Sequence, residues 1–329
     1  MKMMGILLMV AAVVSLLSGE TSDAIVILSI VIIHLVYGVV RKSKAPVTGT
    51  KMTTEGHSAG HLQTQIDLLA VGVGLLVFLL GLFRGHRFYE MFLIAVSLGV
   101  TVIPGGFPVL AADHFVTEVK AVYFLLSCKL GAVMVILSGI LLGWPLPLSP
   151  LQMLWINLVT GTLTVFALGV ALPEGESRER PALSPEQGLF AWKVQISFAF
   201  FGAVMALVTL SAFRLGLAES VPKGETMAFV TLGLCQLVHA YNYWSLWVTG
   251  QRRRIFPRTK FLWSMVGATS LLLIVFVAPW LRRIFRVQTL TLMDWVVISG
   301  LALTPLLAGA IWKTVVKEGF GEPFCPPKR

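Results

Sequence analysis

The feature that most constrains this chain is a succession of apolar runs, each close to the length a lipid bilayer demands. A bilayer core takes about 20 apolar residues per helix. Ten runs meet or approach that length: 4–18, 24–40, 67–84, 91–112, 120–142, 151–172, 193–215, 226–248, 261–281 and 290–312. Inside a bilayer, backbone N–H and C=O groups must be satisfied within the segment, so the runs read as helices. The chain is 56% hydrophobic and 13% charged, against roughly 25% charged in a soluble domain. The expected fold is therefore all-α and integral to the membrane, a ten-helix bundle forming a single transmembrane domain over 1–329. Two polar connections, 41–66 and 173–192, are read as cytoplasmic linkers.

Charge sets the expected orientation. Arg41, Lys42, Lys44 and Lys51 fall in one connection, Arg252, Arg253, Arg254, Arg258 and Lys260 in another, and Lys313, Lys317, Lys328 and Arg329 in the tail. With ten spans these lie on one face, which the positive-inside rule makes cytoplasmic together with both termini. The expected location is the cell (inner or plasma) membrane, with many passes. Arg282, Arg283 and Arg286 fall on the other face, against the rule. The net charge of +10 is thus topological, and no nucleic-acid partner is expected. Cys128 and Cys235 lie in apolar runs without metal-ligand spacing, so no metal or cofactor is expected, and they read as small core residues. His34 and His239 also lie in apolar runs and are expected to satisfy local carbonyls.

The fourth run contains "VTVIPGGFPVL", residues 100–110. Pro104 and Pro108 lack an N–H, so the carbonyls of Val100 and Pro104 lose their helical partners. Gly105 and Gly106 weaken the helix further. Transporters use such breaks to build ion sites; a proline kink that aids packing is the other reading. The fifth run holds Lys129 in "LLSCKLGAVMV". An intramembrane ionisable residue marks a functional site by default, and snorkelling toward the headgroups is its alternative. In the sixth run, Asn157 and Thr160 are three apart on one helical face.

These segments carry a resemblance. "VSLGVTVIPGGFPVL" resembles the fourth transmembrane helix of type II, calcium-pump-like P-type ATPases, whose pattern is Pro-Glu-Gly-Leu-Pro. "GWPLPLSPLQMLWINLVTGTLTVFALG" resembles that family's fifth-to-sixth turn and sixth helix, and "ETMAFVTLGLCQLVHAYN" its eighth. "VVSLLSGETSDAIVIL" and "HLQTQIDLLAVGVGLLVFLLGLFRG" resemble its first three helices. The resemblance covers nearly the whole chain and implies the family's ten-helix membrane domain with a Pro/Gly-broken fourth helix.

The departures from the family pattern are systematic. The phosphorylated aspartate signature, Asp-Lys-Thr-Gly-Thr, does not occur in the sequence, and residues 112–120 form only a short connector where it belongs. The actuator domain with Thr-Gly-Glu-Ser has no counterpart in the linker 41–66. The resemblance puts the family's acidic ligands at Gly105, Ala132, Gly161 and Gly233, and its fifth-helix Asn at Lys129. Asn157 and Thr160 are retained. A hard divalent cation needs several oxygens, with charged ones setting affinity, so the resemblance implies a vestigial site over Pro104, Gly105, Pro108, Lys129, Ala132, Asn157, Thr160, Gly161 and Gly233. Lys129 supplies a tethered cation there, as a static plug or as a member of a proton path. The expectation is a chain that is not an enzyme, holds no ATP, and acts as a membrane subunit, scaffold or regulator of a larger complex beside the lipid bilayer. Passive or proton-linked transport of a small solute, and the membrane half of a split pump, are the alternatives.

Overall fold

A computed structural model describes residues 2–21, 23–29, 31–32, 55–102, 115–160, 192–246 and 259–319. The described residues are mostly helical and contain no strand. The helices are α1 (Lys2–Leu17), α2 (Glu55–Phe83), α3 (Phe88–Val102), α4 (Phe115–Leu141), α5 (Pro150–Leu158), α6 (Trp192–Leu217), α7 (Val221–Leu246), α8 (Thr259–Val277), α9 (Pro279–Ile284), α10 (Leu292–Ala302) and α11 (Thr304–Gly319). Residues 23–29 are also helical. By length and composition, three described segments can cross a membrane: Phe124–Leu141, Gln195–Leu217 and Leu292–Trp312. Leu8–Leu17, Val71–Phe83, Phe88–Leu98 and Phe261–Val277 are shorter apolar helices.

Local sequence sets where the helices stop. Three end with a left-handed glycine, Gly19 (φ 82°), Gly85 (φ 83°) and Gly143 (φ 67°). Each end carries the same pair of backbone bonds, such as Trp144 N–H to the Gly139 carbonyl and Gly143 N–H to the Ile140 carbonyl. Glycine reaches this conformation without a Cβ clash. The end of α9 has the same bonds, Val287 N–H to Arg282 O and Arg286 N–H to Arg283 O. There the left-handed residue is Arg286, at φ 53°.

Two apolar runs expected as single helices are divided, and proline is the reason in both. Pro279 separates α8 from the short α9, with Ala278 extended between them. Pro305 follows the step at Leu303 that separates α10 from α11. Since Pro305 has no N–H, the Leu301 carbonyl has no helical donor. At the other end of the chain, α2 starts at Glu55, inside the stretch expected as a linker.

The chain divides into two compact units, Met1–Gly105 with Ser149–Leu158, and Gly106–Leu148 with Val159–Arg329. In the first unit, α3 packs against α1, α2 and α5. A polar cluster ties the α1 end to the start of α3. The Tyr89 hydroxyl donates to Asp23 Oδ2 at 2.7 Å and lies 3.2 Å from Ser15 Oγ, which donates to the Glu20 carbonyl. Helix α5 starts with a reciprocal cap: the Ser149 hydroxyl accepts from Gln152 N–H, and Gln152 Oε1 accepts from Ser149 N–H.

In the second unit, α7 is central and packs against α4, α6, α8, α10 and α11. Its middle is buried on nearly every side, including Thr226, Thr231, Gln236, His239 and Asn242. A helix surrounded this way belongs inside a large bundle. Helices α4 and α6 approach closely where Gly131 meets Gly202, the small-residue contact that membrane helices use to pack.

Outside the apolar centre, Lys223 at the start of α7 bonds Glu219 and lies 3.0 Å from Asp294 of α10. The Glu219 carboxylate first, and Asp294 after it, hold the Lys223 ammonium above its ordinary range. A raised lysine pKa contributes stability fully below the unfolded value, and that contribution is lost only as pH rises through the folded one. The latch is thus intact at neutral pH. Asp294 also completes a capping box with Thr291 at the start of α10. Thr291→Ala leaves an N-terminal N–H of α10 without its side-chain acceptor and should cost about 1 kcal/mol. A thermal melt in detergent checks this, with Thr291→Ser expected to melt like the parent.

Candidate functional site

Helix α4 positions the one lysine that sequence reasoning singled out. Lys129 is 4% exposed, beside the fully buried Cys128, and Ala132 is buried three residues further on. Thr160 is buried in a wider, π-type turn at Val159–Thr160. Such turns recur at functional sites because they displace side chains from the regular helical register. In the first unit, Asn157 near the end of α5 is half-buried, and its Nδ2 donates to the Ser97 carbonyl of α3 at 3.4 Å. Ser97 lies three residues before Val100, whose carbonyl Pro104 deprives of a helical donor. Pro104, Gly105, Pro108 and Gly161 lie outside the described residues.

Gly233 is in the buried middle of α7. A Cβ at this position would lie 2.7 and 2.8 Å from the two methyl carbons of Leu272 on α8. The space a side chain at 233 would need is therefore filled with hydrocarbon. Among the described residues no group of three or more His, Cys, Asp or Glu is placed to hold a metal ion.

The structure adds a polar chain that sequence reasoning resolved only in part. The Ser127 hydroxyl donates to the Phe124 carbonyl at 2.8 Å and so accepts from His239 Nε2–H at 3.0 Å. His239 is fully buried, with the Phe201 ring 4.5 Å from its own. With the proton on Nε2, Nδ1 is an acceptor and faces Asn242 Nδ2 at 3.5 Å. The same amide donates to the Pro305 carbonyl. His239 thus pairs with a hydroxyl and an amide. The thiol of Cys235 lies 4.0 Å from the Leu301 carbonyl, the group that Pro305 leaves without a helical donor. This chain ties α7 to α4 and to the broken last span. A proline within the apolar run 290–312 was the available signal for that break.

In a membrane-embedded helical bundle, a buried ionisable residue such as Lys129 marks a candidate functional site. A family model described as "Cation transporting ATPase, C-terminus" matches residues 145–315, and the chain belongs to this family. It is 33% identical over 202 residues to the Calcium-transporting ATPase of Bacillus subtilis (strain 168), covering 58% of this chain and 22% of that protein. It is 31% identical over 217 residues to Calcium-transporting ATPase 1 of Bacillus cereus, covering 60% of this chain and 24% of that protein. With Calcium-transporting ATPase type 2C member 2 of Homo sapiens it shares 26% identity over 216 residues, 63% of this chain and 22% of that protein. The match spans less than a quarter of each of these relatives.

The chain is therefore homologous to calcium-transporting P-type ATPases over their membrane region, and it is an integral membrane protein. The expectation that it is not an enzyme is corrected by the same matches, since the relatives are named as ATPases, which are enzymes. That expectation rested on the missing aspartate signature. A missing internal motif describes these 329 residues and not the enzyme to which a membrane region belongs.

Proposed function

We propose that this chain is a multi-pass membrane subunit of a calcium-pump-like P-type ATPase assembly, with both termini cytoplasmic and with Lys129 occupying the place of a transported cation. The observation that carries the proposal is Lys129 itself, 4% exposed on α4. Burial of the whole residue weighs against snorkelling, which leaves the charged head in water. The filled space at Gly233 and the methyl at Ala132 support the reading, because both stand where the resemblance places acids. A calcium ion beside an ammonium, without those carboxylates, lacks the charged oxygens that set affinity.

The test is calorimetry on the purified chain. Micromolar calcium should give no saturable heat. A micromolar site that survives neutralisation of the acids near the helix ends, Glu20, Asp23, Glu219 and Asp294, would overturn the assignment.

A further inference from the structure

Helices α6 and α7 run antiparallel from a short turn, and two contacts fix how they pair. Near the turn Gly216 meets Gly224, where a Cβ on Gly216 would lie 2.8 Å from the Gly224 Cα. Farther along, the Phe201 ring lies 4.5 Å from that of His239. The stretches between the two contacts are equally long on both helices, so one register serves throughout. It places Ala212 opposite Ala228 and Thr209 opposite Thr231. Thr209 stands about two turns from Gly216, and Thr231 about two turns from Gly224, so each keeps to the face that makes the glycine contact.

Both threonines are fully buried. Neither hydroxyl has a hydrogen-bond partner among the described residues. A hydroxyl inside a helix commonly bonds back to the carbonyl four residues earlier. The same two helices do this elsewhere. Ser211 donates to the Leu207 carbonyl on α6 at 2.8 Å, and Thr226 to the Pro222 carbonyl on α7 at 2.7 Å. Thr209 and Thr231 make no such bond, although a buried hydroxyl without a partner is costly. They do not bond each other either.

Their surroundings suit a bridging molecule. Ala206, Ala212 and Ala228, one turn away on the same faces, are buried, and they put no long side chain beside the hydroxyls. Small residues also draw the two backbones together. The carbonyls of Met205 and Met227, four residues before each threonine, keep a second lone pair beyond their helical bond. A buried water takes about three polar partners, which the two hydroxyls and these carbonyls supply. No residue one turn from either threonine is charged, so nothing there balances an ion.

We propose that Thr209 and Thr231 form a binding site for one water molecule, which bridges α6 and α7 inside the second unit. The water has two donors and two acceptors, so it takes a proton from one hydroxyl and gives one to the other.

A double-mutant cycle on the full chain in detergent tests this, with valine replacing each threonine at nearly unchanged volume. Thr209→Val or Thr231→Val alone removes one partner and strands the other, so each should lower the melting temperature. The two together remove the need for water, and the double variant should melt higher than the two separate losses predict. Hydroxyls that are merely unsatisfied have the opposite sign: valine relieves them, and each single variant melts at or above the parent. That result, or strictly additive losses, would overturn the site. X-ray radiolytic labelling gives a second readout, because a bound water releases hydroxyl radicals where it sits. Met205 and Met227, which are buried from bulk solvent, should be oxidised in the parent and lose that label in the double variant. Absence of label in the parent, or label unchanged in the double variant, also overturns the site. A parent melting temperature that follows sodium or potassium concentration, beside a double variant that does not, would put a cation there, and the water assignment would fall.

Discussion

Lys129→Met should lower the melting temperature of the purified chain, although the variant is more apolar and nearly as long. The residue is 4% exposed on a helix that packs against α6 and α7. Methionine fills most of the volume but offers no donor. Groups that accept from the ammonium are then left buried, at about 1–3 kcal/mol. Lys129→Ala adds a cavity to the same loss and should fall further, unless water enters. Lys129→Arg keeps the charge but requires a cavity shaped for a planar fork, so it should also be poorly tolerated. The order expected in detergent is parent above Met, with Ala lowest. A Met variant that melts at or above the parent temperature would show that the ammonium is a burden relieved by hydrocarbon, and the tethered-cation reading would fall.

The burial of Lys129 was legible in the sequence because it depends on one helix only. A charge in the middle of an apolar run must be buried in the bundle or stretch to its edge, and the run length limits the second. What a side chain meets on another helix is a different kind of fact. That Leu272 fills the space beside Gly233 depends on how α8 lies on α7, and no spacing within either helix encodes it. Likewise Ser127, His239 and Asn242 are each ordinary residues for an apolar helix. They form a chain only because α4, α7 and α11 meet. The helix stops divide along the same line. Gly19, Gly85 and Gly143 announce their ends locally, whereas Arg286 takes a glycine conformation that its identity argues against. Pro305 stood in the last run, which was nonetheless read as one helix, and the Cys235 thiol that faces the freed Leu301 carbonyl lies on another helix.

The largest effect is expected at Gly309, a position without a side chain to remove. A Cβ there would lie 2.6 Å from Asn242 Oδ1 and 2.9 Å from its Nδ2. Those distances are well inside contact, and the Asn242 amide is held in place by the Pro305 carbonyl. Gly309→Leu therefore does two things at once. It overpacks the contact between α7 and α11, at about 1–3 kcal/mol. It also expels the amide from the Pro305 carbonyl and from His239 Nδ1, leaving buried groups unsatisfied at about 1–3 kcal/mol more. The sum, roughly 2–6 kcal/mol, is enough to unfold a marginal protein. Gly309→Ala tests the cause with less disruption. If the amide is what suffers, Asn242→Ala vacates the space that the new methyl needs, and the two changes together should cost less than their separate costs added. Strict additivity in that double-mutant cycle would mean that Gly309 is required for some reason other than its contact with Asn242, and the polar chain from α11 to α4 would lose its claim to hold the helices together.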